Sequence, residues 1–334
     1  MGTANERYNA IAGTGDHMPA PSAWSSSFGL STVLAALIAI LASAAGVSLA
    51  GEPEPEPDPA TLAQRYELLR PRMVASPFDR PLVVDSGDDD GRMHGEIYGE
   101  LDEPFAPLAA RLTSSGEWCA VITLHINVKG CTREHTTDGD FLTVYSGHKV
   151  YEPIERSHAI RYAFRVTAAR DDYLKVVLVA RTGPLGTRDY ELVLQAMPIG
   201  GRTFVALGYG FRPSAASRLA TGAYLATAGI GKAGFTIVGR GSDGRPHWIG
   251  GLRGIVERNA MRNFLALEAW LQTRDVPAAD RFERRLQCMA ALTARYPPQL
   301  VEMPAAEYIA IKRREWREHI EREDAAGATE ARRS

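Results

Sequence analysis

The stretch GLRGIVERNAMRNFLALEAWLQT, residues 251 to 273, is the longest well-formed helical pattern after an apolar run near the N-terminus. It has no proline, and its two glycines fall in the first turn. At about 100° per residue, Leu252, Ile255, Val256, Ala260, Phe264, Leu267, Trp270 and Leu271 gather on one broad face that is expected to be buried. Asn259 and Asn263, one turn apart, project from the middle of that face, while Glu257, Arg258 and Glu268 fall elsewhere. A buried amide without a partner costs roughly 1–3 kcal/mol. The two asparagines therefore meet sheet backbone, ordered water or a ligand. Arg258 and Arg262, four apart on the helix flank, are spaced either to clamp an anionic group or to pair with surface carboxylates.

Of 334 residues, 45% are hydrophobic and 23% charged, enough for one sizeable core. The formal net charge of −2 provides no basic field to recruit nucleic acid. Residues 28 to 50, FGLSTVLAALIAILASAAGVSLA, carry no charge and end in small residues, with Ser48 and Ala50 where a signal peptidase reads. Cleavage after Ala50 is the expectation, and retention as a membrane anchor the alternative, since the run is long enough to span a bilayer. Either puts the body of the protein outside the cytoplasm, periplasmic or secreted. GEPEPEPDP at 51 to 59 reads as an extended acidic spacer. Residues 61 to 92 read as a short amphipathic helix ending at Pro71, followed by a solvated turn in DSGDDDG, which lacks the ligand spacing of a calcium loop.

From Met93 the pattern changes. MHGEIYGEL reads as a strand, and DEPFAPLAARLTSSGEW as a short helix with Asp102 as N-cap. VITLHINVKG alternates, with Ile122, Leu124, Ile126 and Val128 on one side and Thr123, His125, Asn127 and Lys129 on the other, which predicts a half-buried strand. Strands follow at 141 to 152, 159 to 168, 172 to 180, 188 to 197 and 203 to 211, joined by turns short enough to make them antiparallel. A helix at 214 to 228 and a strand in GFTIVGR precede the long helix.

The segment GEIYGELDEPFAPLAARLTSSGEWCAVI resembles the opening strand, helix and terminal tryptophan of the START-like, Bet v 1-like superfamily of polyketide cyclases and lipid-transfer proteins. The meander and the closing helix complete the resemblance over residues 93 to 273. It implies an α+β helix-grip fold, a curved antiparallel sheet wrapped around a long C-terminal helix, with additional C-terminal helices here. It also implies an apolar cavity for a hydrophobic or amphipathic small molecule. Tyr162, Phe164, Tyr190 and Trp270 are candidate plugs of that cavity, and helix 214 to 228 stands where a lid would be.

Cys119 and Cys131 are expected to form a disulfide in an oxidising compartment. A straight strand between them would hold their α-carbons beyond bridging range, so the bridge requires the segment to turn back. Cys288 reads as a helix core residue. His125 and Lys129 on a cavity-facing strand would offer a general base and a headgroup cation, whereas the ordinary alternation of a sheet would turn them to water. No paired-histidine zinc spacing, phosphate loop or nucleophile elbow is present, and no cofactor is expected. Residues 274 to 326 read as a helical extension whose last helix is a solvated, mixed-charge one, and 327 to 334 as a disordered tail.

The sequence therefore predicts an exported protein that binds a lipid-like molecule without catalysis, through Asn259, Asn263, Arg262, Trp270, His125 and Lys129. The alternatives are a cyclase or hydratase using His125, and a structural or assembly protein of the cell envelope.

Overall fold

The computed structural model describes residues 58 to 331 except 228 and 230, with side chains as far as 322, all within the unit Pro53–Ser334. The apolar run, its cleavage site, most of the acidic spacer and the last residues of the tail lie outside the described residues. Among the described residues no helix is long and apolar enough to cross a membrane.

Asp58 caps helix α1 (Pro59–Val74) by accepting from the Ala60 N–H at 2.8 Å, and the helix runs on through Pro71. Strands β1 (Leu82–Asp89) and β2 (Arg92–Leu101) follow as a hairpin. The hairpin closes at Asp90 and Gly91, whose φ of 48° and 80° suit the tight turns that match strand twist. DSGDDDG is thus mostly strand, because Leu82, Val83 and Val84 are buried while its aspartates face outward.

The segment 102 to 136 departs most from the pattern. Helix α2 (Phe105–Leu112) starts at Pro104 rather than Asp102, and a second helix, α3 (Ser115–Ile122), takes the beginning of the alternating run. Trp118, Val121 and Ile122, at helical spacing, are the buried face of α3. Residues 123 to 127 turn, and β3 (Val128–Thr136) begins only there. The reversal brings the α-carbons of Cys119 and Cys131 to 5.4 Å, and the disulfide forms.

Strands β4 (Gly139–Ser146), β5 (His158–Ala169), β6 (Leu174–Thr182), β7 (Arg188–Ile199) and β8 (Arg202–Arg212) make the expected antiparallel meander. The eight strands are ordered β1-β2-β8-β7-β6-β5-β4-β3, so β8 returns to pair with β2. Helix α4 (Ala215–Leu225) comes next. The strand expected in GFTIVGR, β9 (Ile237–Arg240), pairs only with β10 (Pro246–Trp248), outside the main sheet.

Helix α5 (Gly251–Gln272) lies across β1, β2 and β8. Two glycines of β2 allow it to come close. A Cβ on Gly95 would sit 2.8 Å from the Val256 carbonyl oxygen, and one on Gly99 would sit 2.8 Å from the Phe264 ring. The helix is enclosed nearly all round, so Glu257, Arg258 and Glu268 are buried as well. The Glu257 carboxylate accepts from the Ser86 and Thr236 hydroxyls and from the Phe235 and Thr236 N–H groups, which fixes the segment before β9.

Helices α6 (Ala278–Thr293), α7 (Pro297–Leu300) and α8 (Ala305–Ala331) close the chain. Helix α1 packs behind the sheet, where Leu62, Leu69 and Met73 meet Val83, Tyr98 and Phe204. The main core, containing Phe264, Leu265, Leu267 and Trp270, lies on the face that carries α5. This is an α+β arrangement of the helix-grip kind: a large antiparallel sheet, a long helix across it and additional C-terminal helices.

Candidate ligand-binding site

Where α5 leaves β2, a cavity of about 140 Å³ remains between its middle and strands β4 to β8. Val144, Ile160, Leu178 and Leu192 give it apolar walls, and Tyr162, Tyr190 and Tyr209 narrow it. The rings of Tyr162 and Tyr190 meet edge to face at 6.4 Å. Of the candidate plugs, then, the two tyrosines reach the cavity. Phe164 and Trp270 do not line it, and space remains.

The polar end of the cavity is built from α5 and the turn after α3. Asn259, Asn263, His125 and Asn127 all line it. The Asn127 N–H donates to His125 Nδ1 at 3.2 Å, which puts the ring proton on Nε2. Asn127 Nδ2 donates to the Gly147 carbonyl at 3.1 Å. Burial lowers the His125 pKa to about 3, with the Arg262, Lys312 and Lys149 charges acting in the same direction. The imidazole is therefore neutral at pH 7 in this structure.

Asn263 differs from Asn127. Among the described residues its amide has no hydrogen-bond partner, and neither do the hydroxyls of Tyr162 and Tyr209. Burial holds the Tyr209 and Tyr162 hydroxyls protonated, far above the ordinary phenol range. An amide and two neutral hydroxyls thus face the cavity with their hydrogen-bonding capacity open among the described residues.

The other sequence-derived candidates are placed differently. Lys129 and His125, expected on one strand face, separate because the chain turns between them. The Lys129 ammonium is buried against α8, donating to Glu315 Oε1 and to the Val150 carbonyl, each at 2.8 Å. It does not reach the cavity. Trp270 lies two turns beyond Asn263 in the solid part of the core, where its Nε1–H donates to Glu117 at 2.6 Å and the Arg111 guanidinium covers its ring at 4.1 Å. It has no surface left for a ligand. Arg262 lines an open recess of about 690 Å³ that shares Asn127 and Asn259 with the cavity, and there it donates to Glu302 at 2.7 Å.

The recess is the part that sequence reading missed. Lys149, Tyr224, Arg258, Arg262 and Glu302 line it, and Glu302 comes from the short segment between α7 and α8. Nothing in PPQLVEMP marks that glutamate, and its partners come from distant segments. Tyr224, near the end of α4, accepts from the Lys149 ammonium at 2.5 Å, so the helix read as a lid contributes to the rim of the recess. Among the described residues no group of three or more His, Cys, Asp or Glu side chains converges as a metal site would.

A comparison with protein-family models finds no match, and a search of curated proteins finds none. Solved structures with a related arrangement include a START superfamily protein from Mycobacterium smegmatis. It is 13% identical, with a TM-score of 0.26 over 39% of this chain and 75% of that one. A STAR-related lipid transfer protein from Xanthomonas axonopodis is 12% identical, with a TM-score of 0.26 over 40% of this chain and 83% of that one. Human StAR-related lipid transfer protein 5 is 10% identical, with a TM-score of 0.26 over 51% of this chain and 91% of that one. Likeness at this level carries no argument. The case for a ligand rests on the cavity.

Proposed function

We propose that the domain binds a hydrophobic or amphipathic small molecule without transforming it. The observation that carries this reading is Asn263, an amide without a partner in an apolar cavity, backed by the free hydroxyls of Tyr162 and Tyr209. A core selected only for stability would satisfy such groups or replace them with apolar ones. The volume limits the ligand. About 140 Å³ is comparable to an engineered cavity of ~150 Å³ that takes benzene, so the inner space accepts one ring or a short alkyl end, and the recess accepts the remainder of the molecule. A slender single-chain amphiphile suits these spaces better than a two-tailed lipid. The Cys119–Cys131 disulfide supports a location outside the cytoplasm, periplasmic or secreted, as does the apolar run at 28 to 50.

The test is native mass spectrometry of the purified protein, followed by titration with fluorescent single-chain probes. A stoichiometric small molecule lost on denaturation, or saturable probe uptake weakened by Asn263→Leu, is the expected result. A clean unliganded mass with no uptake of any probe overturns the reading.

A further inference from the structure

The recess outside the cavity holds an unequal set of charges. Lys149 follows β4, Lys232 follows α4, and Arg258 and Arg262 lie on α5, yet all of them converge on Glu302. Glu302 Oε1 accepts from Lys149 at 2.8 Å, from Arg262 at 2.7 Å and from Arg258, while the Lys232 ammonium stands 3.9 Å from Oε2. Four cations therefore share this one carboxylate. Glu307 also lines the recess but is exposed at its rim.

The imbalance leaves marks on the side chains. Burial works against ionisation of Glu302, but the surrounding charges of Arg262, Lys149 and Arg258 prevail and hold its pKa at about 2. Burial and the neighbouring Arg258 lower the Arg262 pKa to about 10, where it remains a cation at neutral pH. Arg258 has a side chain only 3% exposed, and among the described residues its buried Nε has no hydrogen-bond partner. An ionised guanidinium with an unmet donor, beside a second arginine and a lysine, is the arrangement that recognises phosphate and carboxylate groups.

We propose that this recess is the anion site of the ligand, taking a phosphate or carboxylate head while the apolar end of the same molecule enters the tyrosine-lined cavity. The proposal rests on the binding function stated above, and it names the substrate class: a single-chain amphipathic anion. Asn127 and Asn259 line both spaces, so a molecule passing from one to the other runs between their amides. Lys149 and Arg258 supply the charge, and Tyr224, already hydrogen-bonded to Lys149, completes the rim. Glu302 is a resident counter-ion. It offsets the repulsion among the cations in the unliganded protein and gives up part of its hydrogen bonding when a second anion arrives. A neutral amphiphile of the same length fills the same cavity but leaves the cations unanswered.

The test is calorimetric titration of the full chain with octyl phosphate, octanoate, octanol and inorganic phosphate. The two anionic octyl compounds are expected to bind about tenfold or more tightly than octanol, the effect of one or two charge-assisted hydrogen bonds. Arg258→Gln is expected to remove that preference, bringing the anionic octyl compounds to within about threefold of octanol. If this buried substitution impairs folding, Lys149→Gln, at a side chain 24% exposed, is expected to reduce the preference several-fold in a folded protein. Equal binding of all three octyl compounds overturns the anion site and leaves the cavity reading standing. Inorganic phosphate binding as tightly as octyl phosphate, with no octanol uptake, supports an anion site for a free anion and overturns the amphiphile. Failure of every probe to bind overturns both.

Discussion

Two buried glutamates near the C-terminus hold lysines and arginines, and they do so in opposite ways. Glu315 on α8 has one oxygen bonded to Lys129 and the other to Lys312, each at 2.8 Å, and both lysines are completed by β3-side carbonyls, Val150 and Val128. All of these side chains are at most 3% exposed. Glu302 gathers more cations, loads them on one oxygen and sits at an open recess with an unmet arginine donor. Identical residue types thus serve attachment in one cluster and are left ready for a ligand in the other. What separates them is saturation of the hydrogen bonds, together with the excess of cations and the greater exposure around Glu302.

The largest effect should come from breaking the saturated cluster. Glu315→Gln leaves Lys129 and Lys312 buried without a counter-ion and should cost about 3–5 kcal/mol in urea denaturation. Added phosphate should not restore the loss, because the site is closed. Glu302→Gln should cost less, about 2–3 kcal/mol in anion-free buffer, and millimolar phosphate should recover most of it. A loss that phosphate leaves untouched would make the two clusters equivalent and remove the contrast.

Acid offers a second handle on the Glu302 cluster. The pKa of Glu302 is depressed from 4.5 to about 2, so its contribution is present above pH 4.5 and is lost as pH falls towards 2. The wild-type protein should therefore show a decline in the urea midpoint across that window which Glu302→Gln lacks.

The smallest effect should be a gain. Asn263→Leu replaces an unpartnered amide with an apolar group beside a cavity that has room for it, and should stabilise the unliganded protein by about 1 kcal/mol while weakening ligand uptake. A loss of stability would mean that the amide is satisfied in solution.

Much of this architecture is legible in the sequence. The periodicity of 251 to 273 gives α5 and its two inward asparagines, and alternation gives β5 to β8 within a few residues, while β4 ends at Ser146 rather than at Glu152. The alternating run at 121 to 130 misleads because Trp118, Val121 and Ile122 also fit a helical face, and tertiary packing chose that face. The cysteines pointed the other way, since their bridge is incompatible with a straight strand. The acidic hairpin hides β1, whose outward aspartates look like a loop until Leu82 to Val84 are set against β2. The spacing of Arg258 and Arg262 already offered an anion clamp, but Glu302, Lys149 and Lys232 were out of reach, because the recess exists only when segments far apart in the chain meet.

The sheet also has two ends, and their treatment bears on how copies of the protein tolerate crowding. At the β3 end, α8 covers the start of the strand, where the Lys312 ammonium donates to the Val128 carbonyl and the Tyr308 hydroxyl to the Leu124 carbonyl in the turn before it. At the β1 end, the outer strand carries Asp85, Asp88 and Asp89 exposed, so two copies approaching edge to edge meet like charges. One border is partly covered and the other carries exposed acidic side chains. Growth by strand addition is thereby discouraged at both, and a concentrated solution of the folded domain should stay dispersed at neutral pH.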